Sequence, residues 1–304
     1  MRPRLVLFGA SLTEQSFASG GWGAALADHF ARQADVVLRG LSGYNTRWAL
    51  KVLGRAMEGA AAGGADPAAV TVLLGSNDAS LPDRAEPHLH VPLAEYQDNL
   101  RAICAHLKNK WPSAAIILIT PPPIYEAARI RHIYGDNDPS RQPERTNEAA
   151  GTYAQACIAV AKELDQPFVD IWTHMQQFPD WQTSALCDGL HFTPFGNKIL
   201  FDEVLKTLES IGFNKQSLPS DLPLYHEIDP KDPLKFVASA KPWMVKHAFG
   251  FSYVTWRGAK WKCFRRNEAV NLFSWKVGGS GLWVQGPWEY KPVARKRIGR
   301  ARLG

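Results

Sequence analysis

Cysteine is scarce in this 304-residue chain: Cys104, Cys157, Cys187 and Cys263 stand far apart, with no CxxC pair. That spacing excludes a disulfide framework and a cysteine zinc site and suits reduced thiols. Long apolar runs are missing too. Nothing approaches the roughly 20 residues needed to cross a bilayer, so no membrane span is expected. The short run from Leu5 does not read as a signal peptide, because cleavage near Ala10 would remove a strand and its turn. The expected location is cytoplasmic. Neither a GxGxxG turn nor a Walker loop occurs, which leaves a nucleotide- or flavin-binding module without its usual phosphate cradle. Internal repeats are also absent.

What is present is ordinary globular composition, 45% hydrophobic and 21% charged, long enough to bury a sizeable core. The net charge of +6 conceals an asymmetry: residues 238–304 hold 14 Lys/Arg against 2 Asp/Glu, while the rest of the chain is acidic overall. Six of the eleven tryptophans also follow residue 237, without sustained strand or helix periodicity. Residues 1–212 therefore read as the folded domain and 213–236, rich in Pro, Asp and Leu, as an extended surface arm. Residues 237–304 read as a basic, Trp-rich, poorly ordered extension. Only that extension suggests a polyanionic partner such as nucleic acid.

Within the domain, short β-branched and aliphatic runs at 4–8, 35–39, 70–74, 115–120 and 167–171 read as buried strands. Helical periods follow at about 22–32, 46–57, 93–110 and 145–164, with a last helix opened by Thr193 and Pro194. The segment between strand four and the helix at 145 reads as a long loop. Alternating strands and helices predict a three-layer α/β/α fold on a five-stranded parallel sheet. Right-handed crossovers then bring the turns after strands one, two and three, with Ser11, Gly43 and Asn77, to one sheet edge.

Acyl transfer needs a nucleophile, a base, a group orienting that base and donors for the developing oxyanion. Ser11 is the candidate nucleophile and His191 the candidate base. Asp188, three residues earlier, is placed to hold the second ring nitrogen. The Ser11 and Gly43 N–H groups and the Asn77 amide are the candidate oxyanion donors. Taken singly, these residues have blander readings: Gly43 a turn glycine, Asn77 a helix cap, His191 a surface histidine. Asp78 reads as local loop structure and His88-x-His90 as solvated histidines rather than a metal site. Cys187 lacks the strand-end turn a nucleophile needs.

The order Ser, Gly, Asn, Asp-x-x-His resembles that of the SGNH (GDSL-type) hydrolases. The likeness is closest to the plant form of the isoamyl-acetate-hydrolysing esterase branch. It is carried by Gly20-Gly21-Trp22-Gly23, Arg39-Gly40-Leu41-Ser42-Gly43-Tyr44-Asn45-Thr46-Arg47-Trp48 and Gly75-Ser76-Asn77-Asp78. Further blocks are Ile119-Thr120-Pro121-Pro122-Pro123, Glu144-Arg145-Thr146-Asn147-Glu148 and Asp188-Gly189-Leu190-His191-Phe192-Thr193-Pro194. The resemblance spans about residues 1–236. It implies a flavodoxin-like sheet, a triad of Ser11, Asp188 and His191, an oxyanion hole of Ser11, Gly43 and Asn77, and no cofactor. The implied substrate is a small acetyl or short acyl ester. A carbohydrate O-acetylesterase, a weakened esterase and a flavodoxin-like binding module are the alternatives. Two departures stand out: Ala10 replaces the family's usual aspartate before the serine, and the extension has no counterpart.

Overall fold

In the computed structural model, the described residues are 2–61, 65–135, 141–218, 220, 222–233, 235, 251–257 and 260–265. The chain divides into two compact units, Met1–Leu224 and Tyr225–Gly304.

The first unit opens with β1 (Arg4–Gly9), a short α1 (Ser11–Glu14), α2 (Trp22–His29), β2 (Asp35–Gly40) and α3 (Thr46–Ala56). Next come β3 (Ala69–Leu73), α4 (Leu93–Lys110), β4 (Ala115–Ile119), α5 (Glu126–Tyr134) and α6 (Asn147–Glu163). The unit ends with β5 (Phe168–Val169), α7 (Ile171–Met175), α8 (Trp181–Ser184) and α9 (Pro194–Ser210). The five strands form one sheet in the order β2-β1-β3-β4-β5, each neighbouring pair parallel.

The central strand sequences are largely apolar because both faces are covered. Val6 and Phe8 of β1 pack with Leu53 of α3, Leu100 and Ile103 of α4 and Val160 of α6. The alternate residues Leu5 and Leu7 pack on the other side with Trp22 and Leu26 of α2 and Leu200 and Val204 of α9. A two-residue period thus serves two separate cores. Truncating a fully buried leucine such as Leu7 to alanine costs about 2–5 kcal/mol in such surroundings. β2, at the sheet edge, is only half-buried along its length. The helix starts follow their capping residues: Asn45, Thr146 and Thr193 accept from the backbone N–H of Trp48, Ala149 and Gly196.

One expectation changes, and the arm and the extension gain detail. The loop foreseen after strand four contains α5, whose buried residue is Arg129; a helix that buries a cation leaves no apolar period to read. The arm at 213–236 begins within the first unit. Phe213 is buried, and the carbonyls of Lys215, Leu222 and Pro223 accept from Gln33 and Arg32 just beyond α2. Finally, the extension contains two antiparallel strands, β6 (Phe251–Arg257) and β7 (Lys260–Arg265). Their aromatic and β-branched content favours extended backbone. The remainder of the proposed polyanion-binding extension lies outside the described residues.

Candidate active site

The first three site segments stand at the carboxyl edge of the sheet and are stitched together by backbone and side-chain bonds. Ser11 opens α1 two residues beyond β1 and is 9% exposed. The Leu41 N–H donates to the Gly9 carbonyl at 2.8 Å. The Ser42 N–H donates to the Glu14 carboxylate, also at 2.8 Å. Gly43 is thereby set beside the serine turn. Its φ of +78° lies in the left-handed region, although an added Cβ would meet nothing within 4 Å; backbone freedom, not space, requires glycine here. On the other side of β1, the Ala10 N–H donates to the Leu73 carbonyl at 3.3 Å. Four residues further on, the Asn77 amide Nδ2 donates to the Tyr44 carbonyl at 2.8 Å, closing the third segment onto the second.

Asp78 does more than shape its own loop. Its carboxylate is fully buried and accepts from Thr46 N at 2.9 Å and from the Thr46 hydroxyl. It thereby locks the start of α3 behind the Gly43 turn. Burial pushes its pKa up to about 6 against the opposing hydrogen bonds from Thr46.

Asp188 and His191 arrive from a different kind of element. Cys187 N donates to the His191 carbonyl and Thr193 N to the Ala185 carbonyl, both at 2.9 Å, so the segment is a tight loop leading into α9. Gly189, at its tip, has φ +83° and comes so close to the Tyr125 carbonyl that an added Cβ would sit 2.4 Å from it. Trp22 fastens this loop to the serine turn: its backbone N–H donates to Asn197 of α9 and its indole to the Leu12 carbonyl.

The result is a continuous hydrogen-bonded line. His191 Nε2 is 3.0 Å from Ser11 Oγ, and His191 Nδ1 is 2.7 Å from Asp188 Oδ2. Since a carboxylate only accepts, Nδ1 carries the proton and Nε2 is free to accept from the serine. Asp188 Oδ1 accepts from the backbone N–H groups of Leu190 and His191 at 3.0 and 2.7 Å. Burial pushes this carboxyl up, but the bonds from the His191 ring and from these two amides outweigh it. Asp188 is held well below the ordinary carboxylate range.

All five residues singled out in the sequence come into one connected assembly. The structure adds three that the motif reading gave no role. Arg129 of α5 donates from Nη1 to Asp188 Oδ2 at 3.1 Å and from Nε to Glu144 Oε1 at 2.8 Å. Arg145 also donates to Glu144 Oε1, and from Nη2 to Asn77 Oδ1 at 3.0 Å. Glu144 and Arg145 stood in a block matching the resemblance, but Arg129 carried no signal beyond a charge in a polar stretch. Of the two histidines expected to be solvated, His88 is exposed beside the Trp48 ring, whereas His90 is engaged, its Nδ1 2.7 Å from the Ser80 carbonyl. Among the described residues no group of three or more His, Cys, Asp or Glu is placed to hold a metal ion. The Cys187 thiol is pushed up by burial and by Asp188, which disfavours a thiolate.

Residues 5–204 match the family of GDSL-like lipases/acylhydrolases. The chain belongs to this family. A GDSL esterase/lipase of Arabidopsis thaliana is 58% identical over 236 residues, covering 77% of this chain and 98% of that protein. The human isoamyl acetate-hydrolyzing esterase 1 homolog is 41% identical, covering 79% of this chain and 90% of its own. Among solved structures, a lipase/acylhydrolase from Enterococcus faecalis shares the fold with a TM-score of 0.54 at 23% identity, covering 73% of this chain and all of its own. This chain is thus a carboxylic ester hydrolase. Among its described residues no helix is long and apolar enough to cross a membrane.

Proposed function

We propose that this esterase cleaves small acetyl or short acyl esters through an acyl-enzyme formed on Ser11. The observation that carries the reading is the unbroken line Ser11 Oγ, His191 Nε2, His191 Nδ1, Asp188 Oδ2, with separations of 3.0 and 2.7 Å. As Ser11 Oγ attacks the ester carbonyl, His191 Nε2 takes its proton. Asp188 stabilises the resulting imidazolium and keeps the ring aligned. The negative charge on the former carbonyl oxygen is received by the backbone N–H groups of Ser11 and Gly43 and by the second N–H of the Asn77 amide. On collapse the carbon–alkoxide bond breaks and His191 returns the proton to the leaving alcohol. Water, deprotonated by the same ring, then attacks the acyl-serine and releases the acid. Every step uses groups this chain supplies, so the reaction needs no cofactor.

The substrate class draws on the relatives named as isoamyl acetate-hydrolyzing esterase 1 homologs, a name that points to a small acetate ester, and the partner is such an ester. The buried thiols of Cys104 and Cys157 suit a reducing, cytoplasmic setting. Hydrolysis of p-nitrophenyl acetate tests the reading: Ser11→Ala should lower kcat by about 10⁴–10⁶-fold. Turnover near the wild-type rate would contradict it.

A further inference from the structure

The oxyanion side and the acid–base side of the site are joined by a second route, through buried side chains, that does not involve the reacting atoms. Starting from Asp188, it runs through Arg129, Glu144 and Arg145 to Asn77. The three central side chains are nearly inaccessible, at 5%, 0% and 3% exposed. Glu144 Oε1 alone receives Nε and Nη2 of Arg129, at 2.8 and 2.7 Å, together with Nη1 of Arg145. Arg145 also donates to the Ser76 carbonyl at 2.8 Å, Asn77 Oδ1 at 3.0 Å and the half-exposed Glu86 at 2.8 Å.

We propose that Arg129, Glu144 and Arg145 are positioning residues: a rigid ionic bridge that orients the Asn77 amide and ties its place to that of the Asp188–His191 pair.

Three features support this. First, the orientation of the Asn77 amide follows from its partners. Arginine only donates, so Oδ1 must face Arg145, and the Tyr44 carbonyl only accepts, so Nδ2 must face it. The remaining N–H then has one fixed direction. Without Arg145, Oδ1 loses its buried donor and the amide is held by the Tyr44 carbonyl alone. Second, guanidinium groups are planar forks that stay charged. Arg145 therefore fixes the Ser76 carbonyl and the Asn77 side chain together, which a point charge cannot do. Third, stability alone gives little reason for such a cluster. Apolar side chains of similar volume often stabilise a fold as well as a buried ion network does. A function that tolerates little misplacement gives it one.

This inference rests on the oxyanion role of Asn77 proposed above, and the test separates the two. Steady-state kinetics on p-nitrophenyl acetate are compared for wild type, Asn77→Ala, Arg145→Lys and the double variant, with circular dichroism as the check on folding. Arg145→Lys retains the buried cation while losing the fork. It should lower kcat about 10²-fold, the scale of a misplacement near 1 Å, with KM little changed. In the Asn77→Ala background the same substitution should change kcat by no more than about twofold, the scatter of independent sites. A purely structural role would give losses that multiply, and that result would overturn the proposal, as would a wild-type kcat for Arg145→Lys. If Asn77→Ala itself leaves kcat unchanged, the oxyanion assignment falls, and the bridge with it. Glu144→Gln, close in shape, puts the same question from the other side of the pair should Arg145→Lys not fold. It should lower kcat too, and because Glu144 also holds Arg129 against Asp188, that loss should shrink beside Asn77→Ala without vanishing; losses that multiply would overturn the proposal here as well.

Discussion

Ser11, Gly43 and Asn77 each stand just beyond a strand of the parallel sheet, whereas Asp188 and His191 follow no strand directly and arrive on the loop before α9. The first three inherit their place from the sheet. The register pairs Gly9 with both Gly40 and Leu73, so the three turns leave the same edge together. The last two are placed by one backbone bond, Tyr125 N–H to the Gly189 carbonyl, and by side chains: Trp22 and Asn197 on one side, Arg129 on the other. Backbone placement is redundant, because a core on either side of the sheet enforces it. Side-chain placement rests on a few bonds and should be the more easily disturbed.

The carboxylates of Asp188 and Asp78 show the same contrast. Asp188 is held below its ordinary value and stays ionised as the partner of a base. Asp78, enclosed behind the sheet-edge turns, is raised by its burial.

The largest expected effect sharpens the comparison of chemistry with charge stabilisation. His191→Ala removes the base and should lower kcat by about 10⁴–10⁶-fold. Asn77→Ala leaves two backbone donors and should cost about 10²–10³-fold. Equal losses in the two variants would mean that Asn77 does more than stabilise the oxyanion.

How far the sequence revealed this site follows from the same division. Apolar strands ended by Gly9, Gly40 and Gly75 made the sheet and its edge legible, since a two-sided core writes itself as unbroken β-branched and aliphatic runs. Asp188 and His191 were legible only as a spaced pair within a motif. Arg129 was not legible, because its partners Asp188 and Glu144 are distant in sequence and α5 turns a cation inward rather than an apolar stripe. Asp78 read as loop structure because nothing in its neighbours discloses that Thr46, from another turn, meets its carboxylate.

A smaller effect tests the carboxylates. The folded pKa of Asp78, about 6, exceeds its ordinary 3.8. Its contribution to stability is therefore full below pH ~4 and is lost as pH rises through ~6. Two units correspond to about 3 kcal/mol. The stability of wild type relative to Asp78→Asn should fall by about that much between pH 4 and pH 7 in urea unfolding; a constant difference would contradict the assignment. Asp188 has the opposite sign, since its stabilisation is present above the ordinary carboxylate pKa and is lost as pH drops.

The smallest effect concerns Ala10. It is the N-cap position of α1, where no side chain accepts a hydrogen bond from the helix N–H groups. An aspartate there could accept one, steadying the turn that holds Ser11. Ala10→Asp should raise kcat more than it changes KM. An equal or lower kcat would show that the turn is already fixed by Ala10 N–H to Leu73 and by the packing of its methyl in the core.

The claim that sheet-edge and loop elements meet to activate one serine is tested most directly by covalent labelling. The full-length protein is treated with a fluorophosphonate and the adduct is mapped by mass spectrometry. The account predicts a single adduct on Ser11, absent after denaturation and strongly slowed in His191→Ala. An adduct on another residue, or labelling of Ser11 that is indifferent to His191, would contradict it.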